Sequence, residues 1–152
     1  MNSLCKAVIV ASALSVAAAV SAVAGPVEER KELMKSVVKS VKIAVPMAKG
    51  ETQFDAAAAA AAMQVINDVP DKFVKLFPAG TDKHEKTEAA PKIWTDMKDF
   101  MAKAADLKAA SAKTKLAASQ GQEAFKAAVF GSLVKTCKGC HDAYRIKKEK
   151  KN

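Results

Sequence analysis

Two cysteines and a histidine stand together near the end of the chain, in the segment Cys137-Lys138-Gly139-Cys140-His141. The spacing Cys-x-x-Cys-His is typical of c-type haem attachment, in which each thiol adds to one vinyl group and the imidazole ligates the iron. On a helix these three side chains stand at i, i+3 and i+4 and project from one stripe. The segment therefore predicts one haem c, with Cys137 and Cys140 as anchors and His141 as the proximal iron ligand.

Two other kinds of site use the same residue types. A zinc site needs four convergent ligands, usually with more widely spaced Cys–His pairs, and His84 is the only other histidine of the chain. A redox-active dithiol normally lies in a strand-rich, thioredoxin-like setting, which this chain lacks. A disulfide between Cys137 and Cys140 would close a very small loop and stabilise little. We therefore favour haem attachment and interpret His84 as a solvated loop residue.

Residues 1–24 have the composition of a secretory signal peptide. Lys6 precedes an apolar run at 7–23, and the sequence Ala-Val-Ala at 22–24 is a small-x-small cleavage site. An uncleaved membrane anchor needs about 20 strongly apolar residues, whereas this run is a little short and rich in Ala and Ser. We therefore expect cleavage after Ala24, a periplasmic location, no stable membrane insertion afterwards, and one mature domain at 25–152.

The chain is basic, with 25 Lys and Arg against 16 Asp and Glu and a formal net charge of +9 at pH 7. Removal of the leader, whose one charged side chain is Lys6, gives +9 − 1 = +8 for the mature chain. A basic exterior favours acidic partners. Because the lysines are spread over every segment, we do not expect nucleic-acid binding. The terminal run at 147–151 indicates a solvated helix end, with a docking patch for an acidic redox partner as the alternative.

Apolar residues recur at helical spacing along most of the mature chain, and alternating β-branched runs are nearly absent. Thr52 and Asp55 resemble a capping box before the second helix, and Pro46 should bend the first helix or end its regular part near Ala44. The pattern predicts an all-α, antiparallel four-helix bundle with the cysteines on its last helix. The predicted helices span about 27–49, 53–69, 91 to between 110 and 119, and 122–148.

The segment 70–90 is the one long connection between the predicted helices. Connections of this length in a small domain usually cover or bind something. Phe73 and Phe77 stand four residues apart and predict a short helical turn packed inward. No nucleophile or acid–base pair stands out in this segment or elsewhere, so we do not expect an enzyme.

Four blocks of the mature chain share a family pattern. They are Arg30-Lys31-x-x-Met34, Leu76-Phe77-Pro78-Ala79-Gly80-Thr81, Thr87-Glu88-Ala89-x-x-x-Ile93-Trp94, and Thr136-Cys137-Lys138-Gly139-Cys140-His141-Asp142-Ala143-Tyr144-Arg145. Together they resemble the cytochrome c′ / cytochrome c-556 family of class II c-type cytochromes, over the whole mature chain. The resemblance implies a four-helix bundle that carries a single haem c and transfers electrons between periplasmic redox proteins.

The resemblance implies that Met34 faces the distal side of the iron. A methionine there can be the second axial ligand, which gives a six-coordinate, low-spin haem suited to electron transfer. The alternative is that Met34 only packs in the distal pocket and leaves a five-coordinate iron open to nitric oxide or carbon monoxide. We favour ligation, and with it an electron carrier over a gas-binding protein.

The resemblance also implies haem-edge positions for Arg30, Lys31, Thr87 and Glu88, with Arg30 able to pair with a propionate. Each is alternatively a surface residue at a helix start. Arg145, one turn after the proximal histidine, lies beside the imidazole or is a surface cation near a helix end. Family members often form homodimers through the first two helices. The Ala-rich second helix permits that, and a tight intramolecular contact explains the alanines equally well.

Overall fold

The computed structural model describes residues 25–146, so the expected signal peptide and the basic run at 147–151 lie outside the described residues. Four long helical stretches pack side by side, each against its neighbour in sequence and the last against the first. This confirms the antiparallel four-helix bundle. The helices are α1 (Pro26–Lys49), α2 (Ala56–Asp68), α3 (Met97–Ala118) and α4, which joins an α-helix at Gln122–Ala128, a π-helical turn at Val129–Leu133 and an α-helix at Val134–Tyr144. Between residues 25 and 146, none of the helices has the length and apolar character to cross a membrane.

Helix α1 ends at a glycine rather than at its proline. Gly50 adopts a left-handed φ of 77° and donates its N–H to the Met47 carbonyl at 3.2 Å, and Glu51 donates to the Pro46 carbonyl at 2.9 Å. These bonds satisfy carbonyls that the helix end leaves free. The helix continues through Pro46 to Lys49, which confirms the predicted span to residue 49. Of the two effects expected of Pro46, the end of regular helix near residue 44 is wrong. A proline in the last turn removes one N–H donor, and the bonds of the glycine cap secure the chain beyond it.

Helix α2 begins later than its sequence pattern predicted. Asp55 is the N-cap, and its carboxylate accepts the N–H of Ala58 at 2.9 Å. The capping box assigned to Thr52 is therefore wrong, because the side chain of Asp55 is the one that reaches a free N–H of the first turn. Ala59 and Ala62 are buried on the inner face of α2, where small side chains allow the neighbouring helices to approach closely.

The third helix is divided near its start. A separate helical turn at Lys92–Thr95 is followed by Asp96, whose backbone leaves the helical region at φ −136° and ψ 47°. Helix α3 then begins at Met97, so a continuous helix from Pro91 is not what the chain forms. The side chain of Asp96 accepts a hydrogen bond from the Tyr144 hydroxyl at 3.1 Å, which ties this break to α4.

Within residues 25–146, buried apolar side chains form two clusters. The aromatic cluster consists of Phe77, Ile93, Phe100 and Tyr144, with Phe73 and Trp94 packed against it. The Phe73 and Phe77 rings lie 5.2 Å apart, and Phe77 is buried, which confirms the predicted inward turn in the connection. Met101 of α3 is 51% exposed and lies outside both clusters. The second cluster, called the aliphatic core, consists of Val37, Ala44, Ala48, Ala59, Ala62, Met63, Ile66, Val69, Ala110, Ala118, Phe125, Val129 and Leu133.

Candidate functional site

A narrow cleft lies where the aliphatic core meets the aromatic cluster, between α1, α3 and α4. Its lining brings Met34 of α1 together with Cys137, Cys140 and His141 of α4. Most of the remaining wall is apolar, so a bound group would be shielded from water. Further lining residues include Val37, Phe73, Phe100, Leu107, Lys103 and Thr136.

The two thiols are half-buried and are not joined in a disulfide. Burial raises the pKa of both Cys137 and Cys140, and the nearby Lys103 ammonium partly opposes this at Cys140. Both therefore stay protonated at neutral pH. This is the form that retains the hydrogen required for addition across a vinyl group.

His141 stands at the mouth of the cleft, with part of its ring open to solvent. Partial burial lowers its pKa, and the positive charge of Arg145 lowers it further, against the opposing charge of Asp142. The imidazole is therefore neutral at pH 7, which is the form that binds a metal. Gly139 lies on the outer side of the helix, where a Cβ would meet no atom within 4 Å.

The donor set of the cleft fits haem c. Two free thiols three residues apart can form the thioether bonds, the adjacent neutral imidazole can ligate iron, and apolar walls can cover the macrocycle. Residues 25–146 contain no group of three or more His, Cys, Asp or Glu arranged to hold a metal ion by themselves. His84 lies exposed in the connection, where its Nδ1 accepts the N–H of Lys86 at 3.2 Å. The zinc alternative therefore finds no ligand set in this part of the chain.

Arg30 is buried but is not among the residues that line the cleft. Its guanidinium carbon lies 4.5 Å from the ring centre of Phe77 and 5.8 Å from that of Trp94. Nε donates to the Pro26 carbonyl at 3.3 Å and Nη2 to the Thr81 carbonyl at 3.4 Å. Nη1 is buried with no hydrogen-bond partner among the described residues. A buried donor without an acceptor is unfavourable, so this position is suited to a further acceptor such as a carboxylate.

The other predicted haem-edge residues also lie outside the lining of the cleft. Lys31 is exposed on α1, and Thr87 accepts the N–H of Ala89 through Oγ1 at 3.2 Å. Glu88 accepts from Nε and Nη2 of Arg145 at 3.0 and 2.7 Å, which joins the connection to the end of α4. Contact of these residues with the haem edge stays a prediction.

Two polar side chains near the cleft were not assigned from the sequence. Lys103 lines the cleft and pairs with Asp99 at 3.7 Å, and the Tyr144 hydroxyl donates to Asp99 at 2.6 Å and to Asp96 at 3.1 Å. Burial and these carboxylates raise the pKa of Tyr144, and the bond from Tyr144 lowers the pKa of Asp99. The sequence could have placed Lys103 near the interior, because Lys103 stands three residues after Phe100, which faces inward.

Comparison with known proteins agrees with this geometry. The family model of Cytochrome C′ matches residues 25–145. A cytochrome c-556 of Agrobacterium tumefaciens (strain B2A) is 38% identical over 125 residues, which are 82% of this chain and 100% of that protein. The solved cytochrome c′ of Rhodopseudomonas palustris is 33% identical, with a TM-score of 0.76 over 83% of this chain and 99% of that one. Another solved cytochrome c′, described as having ligand-controlled dimer dissociation, is 29% identical, with a TM-score of 0.71 over 80% and 95%.

Matches of this extent confirm the resemblance read from the four sequence blocks. Proteins of this family bind haem c, one per chain, and the donor set of the cleft fits that group. The chain belongs to the cytochrome c′ family and is a monohaem c-type cytochrome.

Proposed function

We propose that this protein carries single electrons between periplasmic redox proteins, with Met34 and His141 as the two axial ligands. The observation that supports this most directly is that these two side chains line one cleft from different helices, α1 and α4. A planar group held between the two helices would meet one donor on each face. When bound, the haem supplies a one-electron couple between ferric and ferrous iron.

The protein has three roles in this proposal: it attaches the haem, ligates the iron and shields the iron from water. Cys137 and Cys140 would hold the haem covalently, each by adding its S–H across one vinyl double bond, so that a C–S bond forms and the hydrogen goes to the other vinyl carbon. His141 offers a neutral ring nitrogen, and Met34 offers a thioether, which raises the reduction potential. The apolar wall that includes Phe100 would exclude water from a metal bound there.

Arg30 supplies a charge partner for the haem in this proposal. Its buried Nη1 has no acceptor in the described structure, and a propionate carboxylate would provide one through a charge-assisted hydrogen bond. Lys31, Thr87 and Glu88 are proposed for the same edge, because they belong to the family pattern around it. An Arg30→Gln variant should keep the covalent haem and lose thermal stability. An unchanged melting temperature would remove the propionate contact from the proposal.

We also propose that the chain is exported. Residues 1–24 are proposed to direct secretion to the periplasm and to be removed after Ala24, and the remaining charge of +8 favours acidic redox partners. Intact-mass measurement of the exported protein should give a chain that begins at Gly25 plus one haem. A peptide containing residues 137–141 should carry the porphyrin mass, and two free thiols in that peptide would contradict the attachment.

Absorption spectra of the ferric and ferrous protein test the axial ligands. The wild type should be low-spin, and Met34→Leu should convert it to high-spin because leucine fills similar space without a donor sulfur. Met47→Leu is the matched control, since Met47 lies in α1 and packs against the aliphatic core without lining the cleft. It should leave the spectrum unchanged. A high-spin wild type would overturn the electron-carrier proposal.

Binding of nitric oxide or carbon monoxide to a five-coordinate iron is the second candidate function. It is favoured by the packing of Met34 against the aliphatic core, which can hold the thioether away from the metal. Carbon monoxide added to the ferrous wild type distinguishes the two. Immediate binding would support the second function, whereas binding that becomes fast only in Met34→Leu would support the first.

A homodimer through α1 and α2 is proposed as a feature of either function. These helices expose the apolar side chains Val38, Ile43 and Val65, with exposed fractions of 51%, 48% and 42%. One related cytochrome c′ is described as having ligand-controlled dimer dissociation. Sedimentation of the haem-loaded protein over a concentration series should give a dimer that Val38→Glu weakens. A monomer at every concentration would contradict the proposal.

A further inference from the structure

Helix α4 contains one irregular turn, Val129–Leu133, directly before the segment that bears the cysteines. The N–H of Val134 donates to the carbonyl of Val129, five residues earlier instead of four, which is π-helical geometry. Ser132 adds a hydrogen bond from Oγ to the carbonyl of Ala128 at 2.9 Å. The turn therefore holds one residue more than an α-helical turn would.

One extra residue changes which later side chains face inward. A regular α-helix turns by about 100° per residue. In an unbroken helix, Tyr144 would therefore point about 100° away from the direction of Phe125, and Cys137 about 120° away. An inserted residue that the π turn absorbs removes about 100° from every later position. Tyr144 then lies in line with Phe125, and Cys137 lies only about 20° from that line.

Burial along α4 follows the shifted register. Phe125 and Val129 are 0% exposed before and at the start of the turn, and Leu133 and Tyr144 are both 3% exposed at its end and beyond it. Phe130, inside the turn, is 38% exposed and points away from the interior. An unbroken α-helix would spread these four buried positions over an arc of about 100°, whereas the shifted register brings them into a narrower stripe.

We propose that the π-helical turn at Val129–Leu133 is a positioning element for the haem site, because its extra residue aligns Cys137, Cys140 and His141 with the interior of the bundle. This inference rests on the proposed haem attachment at these three residues. Without the extra residue, Phe125 and Tyr144 of α4 would not both keep their present positions. Phe125 could stay in the aliphatic core, or Tyr144 could stay beside Phe100, and the cysteines would turn out of the cleft in the first case.

Deletion of Gly131 is the direct test. Gly131 is exposed, and a Cβ there would meet no atom within 4 Å, so its removal takes away no side-chain contact. In the haem-loaded protein, the deletion should change the ferric and ferrous absorption spectra away from those of the wild type and lower the melting temperature. Tyr144 is the one tyrosine of the chain. A 3-fluorotyrosine label should therefore give one fluorine signal, insensitive to exchange of H₂O for D₂O in the wild type and sensitive in the deletion variant.

Two matched variants separate register from other effects. Gly131→Ala keeps the residue number and should retain the wild-type spectra and fluorine signal. Deletion of Gly131 combined with insertion of one alanine between Val134 and Lys135 restores the register from Lys135 onward, and should recover both readouts even if the simple deletion does not fold. Wild-type spectra and a buried label in the simple deletion would overturn the inference, and so would a compensated variant as defective as the deletion.

Failure of the haem proposal is distinguishable from failure of this one. A wild-type chain with no porphyrin mass would refute attachment at Cys137 and Cys140, while the fluorine signal in the same variants would still decide the register. A wild type that carries porphyrin, together with a deletion variant that keeps its spectra and its buried label, would refute only the role of the π turn.

Discussion

The two buried clusters stabilise the bundle in different ways. The aliphatic core includes six alanines among its thirteen buried residues, such as Ala48 and Ala59, both 0% exposed, which bring helix backbones close together. The aromatic cluster is built from rings 4.8 to 6.1 Å apart that fill the space beneath the long connection. The cleft lies between them, where close helix packing gives way to large side chains. The difference indicates that one cluster sets helix spacing and the other shapes the site.

The buried polar groups of the two halves donate their hydrogen bonds to different kinds of partner. In the aliphatic half, Ser111 and Thr114 are buried and donate to carbonyls of their own helix at 2.9 and 2.8 Å. In the aromatic half, the buried Arg30 and the Tyr144 hydroxyl bond to other segments of the chain. Other polar contacts join helices in the aliphatic half as well, since Asn67 of α2 donates to the Lys108 carbonyl of α3 at 2.7 Å and Gln122 of α4 donates to the Met47 carbonyl of α1 at 3.0 Å. What distinguishes the aromatic half is that a buried guanidinium and a buried hydroxyl donate to other segments.

Truncation of one phenylalanine in each cluster should give the largest difference between the roles of the two clusters. Phe125 in the aliphatic core and Phe100 in the aromatic cluster are 0% and 1% exposed, and each change to Ala should cost about 3–5 kcal/mol of the free energy of unfolding. Only Phe100 lines the cleft, so Phe100→Ala alone should alter the haem absorption spectrum. Urea unfolding followed by far-UV circular dichroism gives the stabilities. Equal spectral changes in both variants would contradict the division into two roles.

The alanine spacing should be sensitive to added volume. Ala59→Leu introduces a large side chain at a fully buried contact of α2 and should cost about 1–3 kcal/mol through overpacking. Ala61→Leu, on the exposed side of the same helix, is the control and should be nearly neutral. Thermal unfolding of the two variants measures the difference. If both variants melt at the wild-type temperature, the alanines do not set the distance between helices.

Much of this architecture could be predicted from local sequence patterns. Helical periodicity gave the number and order of the four long helices, since amphipathic stripes are a local property of the chain. The spacing from Cys137 to His141 placed those three side chains on one stripe for the same reason. Boundaries were less accurate where a side chain rather than periodicity decides them, as at Asp55, which caps α2 in place of Thr52.

Features that depend on contacts between distant segments could not be predicted. The break at Asp96 and the bond of Tyr144 to Asp99 require α3 and α4 to be side by side, which no local pattern specifies. The burial of Arg30 between Phe77 and Trp94 depends on the path of the connection. The π-helical turn in α4 reflects a conflict between core register and helix period, which becomes visible only when both ends of the helix are packed.

Loss of the Tyr144 hydroxyl should lower the free energy of unfolding by an amount that depends on pH. The raised pKa of Tyr144 contributes stability that is complete below its unfolded pKa of about 10 and is lost as pH rises beyond it. The lowered pKa of Asp99 contributes stability that is present above its unfolded pKa of about 3.9 and is lost as pH falls through the folded value. Tyr144→Phe should therefore be less stable than the wild type between these limits and approach it at either extreme.

Urea unfolding of the wild type and Tyr144→Phe over a pH series measures that difference. Above about pH 10, the ratio of the two folding constants should shrink by up to about tenfold per pH unit. Thr114→Val, which removes a buried hydroxyl from the aliphatic half, is the control and should show a difference independent of pH. A flat difference for Tyr144→Phe would show that its hydroxyl bonds do not join the two helices in solution.

The exposed ion pair of Glu88 and Arg145 should have the smallest effect. It joins the connection to α4 at the aromatic end, with side chains 35% and 56% exposed, so solvent screens the attraction. A double-mutant cycle with Glu88→Gln and Arg145→Gln should give a coupling of about 0.2–1 kcal/mol that declines in 1 M salt. The backbone bonds from Ile146 to Glu88 and from Ala90 to Tyr144, at 2.8 and 2.9 Å, remain in every variant. A coupling well above that range would mean that the surface charges, rather than the rings beneath them, close the aromatic end of the bundle.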